Sequence, residues 1–149
     1  MIKNILLAMD FSNSNTAFNY AIDLKEKYKS KLIVLNVNEA FLNKDEMIMS
    51  RVGVDEVMKT NEEIALNAKE KFNQILASLN IDNPSDIRMV LREGVASKEI
   101  IEYVEGNNID LIIIGSHSHS KIAELFVGST TNKVINKSKI PVLVVPLIN

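Results

Sequence analysis

The chain contains no cysteine and no tryptophan. Without cysteine, disulfides, thiolate metal centres and cysteine nucleophiles are excluded. The absence of disulfides permits a cytosolic setting, and a cytoplasmic location is the expectation. Aromatic residues make up 5% of the chain, too few for the stacking platforms that bind single-stranded nucleic acid. Nor is there an excess of basic charge. The net charge is −2, whereas nucleic-acid binding usually shows a concentrated basic face. Long apolar runs are missing as well. The opening MIKNILLAMDFS has an apolar stretch far shorter than a membrane span and no small-residue cleavage site behind it. It reads as a first strand. Neither a membrane nor a nucleic-acid partner is expected. With no internal repeat, low-complexity tract or linker, residues 1–149 are expected to form one domain.

What is present is ordinary globular chemistry, 46% apolar and 24% charged. Strand and helix patterns alternate from end to end. Short apolar runs at Ile5–Met9, Leu32–Val37, Ile87–Leu91 and Leu111–Ile114 suit buried parallel strands. A fifth run, Pro141–Pro146, has flanking prolines that suit a sheet edge. Between them, Ala17, Tyr20, Ala21, Leu24 and Tyr28 repeat at helical spacing. Val57, Ile64, Ala68, Phe72, Ile75 and Leu79 mark a long amphipathic helix whose Glu62, Glu63, Lys69, Glu70 and Lys71 read as its solvated face. Ala96, Ile100, Ile101 and Val104 mark a third helix, and Val134 and Ile135 lie on a fourth that Gly128 begins. Residues 39–55 fit no clean period and read as a connection or lid. The expected fold is α/β: a single open, doubly wound, five-stranded parallel sheet in order 3-2-1-4-5, with helices on both faces.

In such sheets a ligand sits beyond the carboxyl ends of the strands, where the winding reverses. Two loops there carry unusual chemistry. One begins at Asp10, which is either a helix cap or a partner for a ribose hydroxyl or adenine amino group. The other is IIIGSHSHSKIAELFVGSTT, Ile112–Thr131, where a buried strand ends on Gly115 and Gly128-Ser129-Thr130-Thr131 opens a helix. Glycine allows close backbone approach, and the unpaired first amides of a helix favour an anion. Ser129 and Thr130 add hydroxyls. The stretch points to phosphate, most naturally on a nucleotide. The standard phosphate motifs do not match. There is no G-x4-G-K-[S/T], and no G-x-G-x-x-G follows the first strand. The first loop lacks SGGxDS, and HSHS is not HIGH. Backbone amides and hydroxyls would therefore do the binding, without a dedicated lysine.

These residues resemble the universal stress protein family, whose nucleotide-binding branch carries G-x2-G-x9-G-[S/T] after the fourth strand. Gly115 matches the first glycine, and His119–Val127 supply the nine residues before Gly128-Ser129. GSTTNKVINKSKIPVLVVP resembles the family's last helix and strand, and ILLAMDFSNSNTAFNYAIDLKEKY its first strand, aspartate and helix. The second motif glycine is here Ser118. Its Cβ restricts a positive-φ backbone or crowds a phosphate, unless its hydroxyl serves instead. The resemblance implies that Asp10 and Val37 frame an adenosine, with Val37 offering backbone groups to the base. It implies that Gly115, Ser116, Ser118, Gly128, Ser129 and Thr130 surround the phosphates of ATP, with Mg²⁺.

Three functions stay open on these residues. One is a stress-response module that binds an adenine nucleotide. Another is a dimeric stress protein or scaffold whose site has degenerated at Ser118. The third is a slow ATPase, for which Asp10, Lys121, His117 and His119 are candidates without motif support. A phosphoacceptor domain is rejected, because Asp10 stands alone and Arg92-Glu93 follows the third strand. His117 and His119 lack the further ligands of a metal site and read as loop polarity. An apolar edge at Val142–Val145 is expected to pair with a second copy as a homodimer.

Overall fold

A computed structural model of the protein describes residues 1–11, 15–39, 54–81, 84–116 and 127–146, in the third of these with side chains from residue 62. The elements run β1 (Asn4–Ala8), α1 (Thr16–Tyr28), β2 (Lys31–Asn38), α2 (Val54–Ser78), β3 (Ile87–Glu93), α3 (Ala96–Gly106), β4 (Leu111–Gly115), α4 (Ser129–Lys137) and β5 (Val142–Val145). The sheet order is β3-β2-β1-β4-β5, and every pairing is parallel. The expected topology is found. Most of the segment expected as a connection or lid lies outside the described residues.

Continuous apolar strands arise because a parallel sheet is covered on both faces. Ile5, Leu6 and Leu7 of β1 and Ile112 and Ile113 of β4 are fully buried. Alternate residues feed two cores. Ile5, Leu7, Val34 and Ile113 meet Ala17, Phe18 and Ala21 of α1 and Phe72, Ile75 and Leu76 of α2. On the opposite face, Leu6, Leu35, Ile112 and Ile114 meet Ile100, Tyr103 and Val104 of α3 and Val134 of α4. α2 reaches its core through Ala68, Phe72, Ile75 and Leu76, the spacing that puts one helical stripe inward. Glu62, Glu63, Lys69, Glu70 and Lys71 lie on its exposed side.

The phase of α1 differs from the expected one. Phe18 is fully buried, while Tyr20 is 52% and Tyr28 44% exposed. The two tyrosines kept helical spacing with the apolar stripe, but Phe18 at its centre is the larger gain, about 2–3 kcal/mol for full burial. Tyrosine, with a polar tip, tolerates the rim. On α4, Val134 is fully buried while Ile135 is 42% exposed.

The two sheet edges differ. β3 carries Arg88, Arg92 and Glu93 along its length, charges of the kind that discourage edge pairing. β5, Val-Leu-Val-Val, carries none and is half-buried except at Val145.

Candidate functional site

Because all five strands are parallel, their carboxyl ends share one side of the sheet. β1 lies between β2 and β4, with Ala8 level with Leu35 on one side and Ile114 on the other. Asp10 follows two residues after Ala8, and Gly115 directly after Ile114. The reversal of winding therefore puts Asp10 and Gly115 at the mouth of one crevice, with Val37 near the end of β2 on its far flank. Asp10, Val37, Gly115 and Ser116 are all half-buried, reachable from solvent yet held by structure. Ser118, His117, His119 and Lys121 lie outside the described residues.

The chain leaves β4 at Ser116 and returns at Val127, and this exit and return are joined. Gly128 N–H donates to the Ser116 carbonyl at 2.6 Å, and Ser116 N–H donates to the Val145 carbonyl at 2.9 Å. The Thr131 hydroxyl donates to the Gly115 carbonyl at 2.7 Å. The start of α4 is thus fastened to the end of β4, with Gly128, Ser129 and Thr130 beside Gly115 and Ser116. Gly128 is the N-cap of α4. It makes no side-chain cap, and no acidic residue stands in the first turn. The helix amides and the positive end of the dipole are left uncompensated by the helix itself. Ser129 is exposed and Thr130 half-buried, so both hydroxyls border that end.

The β1 side of the crevice is also fastened. Met9 N–H donates to the Leu35 carbonyl at 3.1 Å, and the Asn36 side-chain amide donates to the Met9 carbonyl at 3.0 Å. Phe11 has φ 47°, a left-handed conformation that is unusual for a bulky residue. Its side chain packs on the core under α1 and α2. Asp10 therefore sits between a residue held by Asn36 and a residue anchored in the core. Strained backbone held this way clusters at ligand sites.

On the far flank, Glu39 Oε1 accepts from Ala96 N–H at 2.7 Å and caps α3. Arg92 pairs with Glu99 at 3.6 Å and stands 5.1 Å over the Tyr103 ring. Gly94 joins β3 to α3 at φ 144°, where an added Cβ would meet Glu99 Oε1 at 2.7 Å. This cluster ties β2 and β3 to α3 and consumes its own charges.

Asn36, Phe11, Thr131 and Glu39 were not singled out from the sequence. Asn36 did carry a signal, a polar residue inside the apolar run LIVLNVN. Among the described residues, a groove of about 380 Å³ opens at the other end of the sheet, lined by Asn4, Lys31, Asp86, Arg88 and Asn107 among others. Its mixed charges converge on no chemistry. No group of three or more histidine, aspartate or glutamate side chains able to hold a metal occurs among the described residues. Within them, no helix is long and apolar enough to cross a membrane.

Comparison with known proteins identifies relatives of the same family and fold. The chain matches the universal stress protein family over residues 1–146. Universal stress protein MJ0577 of Methanocaldococcus jannaschii is 31% identical, covering 97% of this chain and 95% of the relative. The solved MJ0577 structure superposes with a TM-score of 0.73 at 27% identity, covering 100% and 99% of the two chains. UspA of Lactobacillus plantarum has the same fold, with a TM-score of 0.74 at 23% identity and 97% coverage of each chain. So does a universal stress protein solved in complex with cAMP, with a TM-score of 0.66 at 20% identity and 97% coverage of each chain.

Proposed function

The chain belongs to the universal stress protein family, and from that footing we propose that it binds ATP or a related adenine nucleotide in the crevice between β1 and β4. The observation that carries this reading is the start of α4, with no cap from Gly128 and no first-turn acid, fastened beside Gly115 at the end of the strand that pairs with β1. First-turn amides that receive no side-chain cap from Gly128 and no acid within the helix, together with the dipole end, favour a phosphate chain. Gly115, Ser116, Ser118, Gly128, Ser129 and Thr130 form the phosphate end. Asp10 and Val37 form the nucleoside end. Mg²⁺ enters on the phosphates. A neighbour of the same fold is known with cAMP, which is in keeping with an adenine ligand.

In this reading the protein is a cytoplasmic regulatory module of the stress response, one domain of residues 1–149, whose nucleotide state is read by partners. It acts as a homodimer through β5. The uncharged edge strand Val142–Val145 supports that surface, because pairing with a second copy satisfies open backbone groups and buries apolar area.

The deciding experiment is calorimetry with millimolar Mg·ATP on the folded protein, repeated with Ser118→Gly. One saturable site is expected. Silence from both proteins would leave the dimeric scaffold reading in its place. Sedimentation of the wild type against Val142→Asp and Val144→Asp reads the dimer: a wild-type monomer, or a dimer indifferent to both charges, refutes the β5 interface.

A further inference from the structure

We infer that Thr131 is a positioning residue for the phosphate end of the crevice and Asn36 for its nucleoside end. Each acts by occupying a backbone carbonyl at or just past the end of a strand. The inference rests on the nucleotide reading and goes beyond it, since neither side chain belongs to the proposed contact set.

Consider the peptide that joins Gly115 to Ser116. Its carbonyl accepts from the Thr131 hydroxyl at 2.7 Å, and its N–H donates to the Val145 carbonyl at 2.9 Å. Both polar ends are committed, so the plane cannot turn without breaking both bonds. The next carbonyl, that of Ser116, is taken by Gly128 N–H at 2.6 Å. Thr131 is 3% exposed, so water does not readily replace its hydroxyl. The side chain faces inward and does not compete for a ligand; its neighbours Ser129 and Thr130 are the more exposed ones.

The chemical consequence concerns sign. A carbonyl oxygen carries partial negative charge, and one left without a donor beside a phosphate would repel it. Thr131 ties that oxygen to α4 and fixes the start of α4 against the strand end. The amides of the first turn then keep their place while the nearest acceptor is satisfied. Pre-organised donors of this kind cost no rearrangement when the anion arrives.

Asn36 performs the corresponding act on the other wall. Its side-chain amide holds the Met9 carbonyl at 3.0 Å, in the peptide that leads directly into Asp10. The Met9 N–H is held by the Leu35 carbonyl. Because Asp10 belongs to the nucleoside end, loosening this peptide disturbs the part of the ligand that ATP and adenosine share.

The test is a titration of the full-length protein with Mg·ATP and, separately, with adenosine. It compares wild type, Thr131→Val, Thr131→Ser and Asn36→Leu, each confirmed folded by circular dichroism. Thr131→Val is expected to weaken ATP about fivefold to tenfold, as for a lost hydrogen bond to a buried acceptor, while adenosine changes by less than about twofold. Thr131→Ser, which keeps the hydroxyl, restores ATP to within about twofold of wild type. Asn36→Leu is expected to weaken ATP and adenosine by the same factor, about fivefold. An equal loss of both ligands in Thr131→Val, or no loss, overturns the assignment of Thr131. A loss confined to ATP in Asn36→Leu, or none, overturns that of Asn36. If wild type binds adenosine but not ATP, or neither, the nucleotide reading falls and the inference with it. Should Thr131→Val not fold, Thr131→Ala removes the same hydroxyl without adding an atom and is read in the same way.

Discussion

The two ends of β1 and β4 treat their loose backbone groups differently. At the amino end the protein supplies an anion of its own to two strand amides. Lys3 and Asn4 N–H both donate to Asp110 Oδ2, at 2.8 and 2.9 Å. Ser30 donates its hydroxyl to the Ile2 carbonyl at 2.6 Å and completes the closure. Where β1 and β4 end, acceptors are filled, while Glu39 caps α3 further out along the same side. Asn36 takes the Met9 carbonyl, Thr131 that of Gly115, and Gly128 N–H that of Ser116. The amides that open α4 receive no cap from Gly128 and no acid from the first turn. Topology puts a crevice at the carboxyl end of any doubly wound sheet. On the proposed function, a few polar side chains then set which end favours a foreign anion.

The largest expected effect comes from giving the carboxyl end an anion of its own. Gly128 has φ −58° and ψ 157°, a conformation open to any L-residue. Aspartate there becomes a favoured N-cap and accepts from the first-turn amides. Gly128→Asp is expected to weaken ATP by about 100-fold or more, about 2.7 kcal/mol. The same change should stabilise the fold by about half a kcal/mol through the cap and the dipole. Calorimetry reads the first quantity and urea unfolding the second. Affinity that survives the substitution would mean the phosphates lie away from α4, and the contrast between the ends would lose its functional meaning.

A somewhat smaller effect is expected at Phe11, where the crevice meets the core. The ring is half-buried against the α1 and α2 side of the sheet while the backbone is left-handed. Phe11→Ala should cost about 2 kcal/mol, less than a fully buried phenylalanine. Phe11→Gly should be more stable than Phe11→Ala by about 1 kcal/mol, because glycine enters this region freely. At an ordinary backbone position the order would be reversed. Urea midpoints that put glycine below alanine would therefore remove the strained turn from the account of how Asp10 is held.

Periodicity and apolar runs were enough to place every strand and the four helices among the described residues, because burial on both faces writes itself into contiguous residues such as Leu111–Ile114. The edge position of β5 was visible in its prolines, and the reversal of winding between β1 and β4 in the alternation of elements. The fastenings were not visible. Asn36 reaches a carbonyl 27 residues away and Thr131 one 16 residues away. A side-chain bond to a distant backbone group has no period to reveal it. The left-handed turn at Phe11 was hidden for a related reason: a phenylalanine gives no hint of positive φ. The inward turn of Phe18 in place of Tyr20 depended on helix phase, which two competing aromatic residues leave ambiguous until the sheet is present.

The smallest predicted effect sharpens the comparison from the amino end. The Asn4 amide, and after it the Lys3 amide, holds the Asp110 carboxyl below the usual carboxylate range, against a smaller opposing effect of burial. A lowered folded pKa means that the charged form stabilises the native state. That stabilisation is fully present above the unfolded value, about 3.9, and is lost as pH falls through the folded value. Asp110→Asn should therefore cost on the order of 1 kcal/mol at pH 7, after discounting a charge-assisted bond for a partly exposed site. The difference between variant and wild type should shrink as unfolding is followed below about pH 3.9, where the wild-type carboxyl also becomes neutral. ATP affinity should not change, since the substitution lies at the opposite end of β1 and β4 from Asp10 and Gly115. A stability gap that stays constant with pH would assign Asp110 to packing and take the charge out of the comparison. A loss of ATP binding would show that the two ends are coupled through the strands between them.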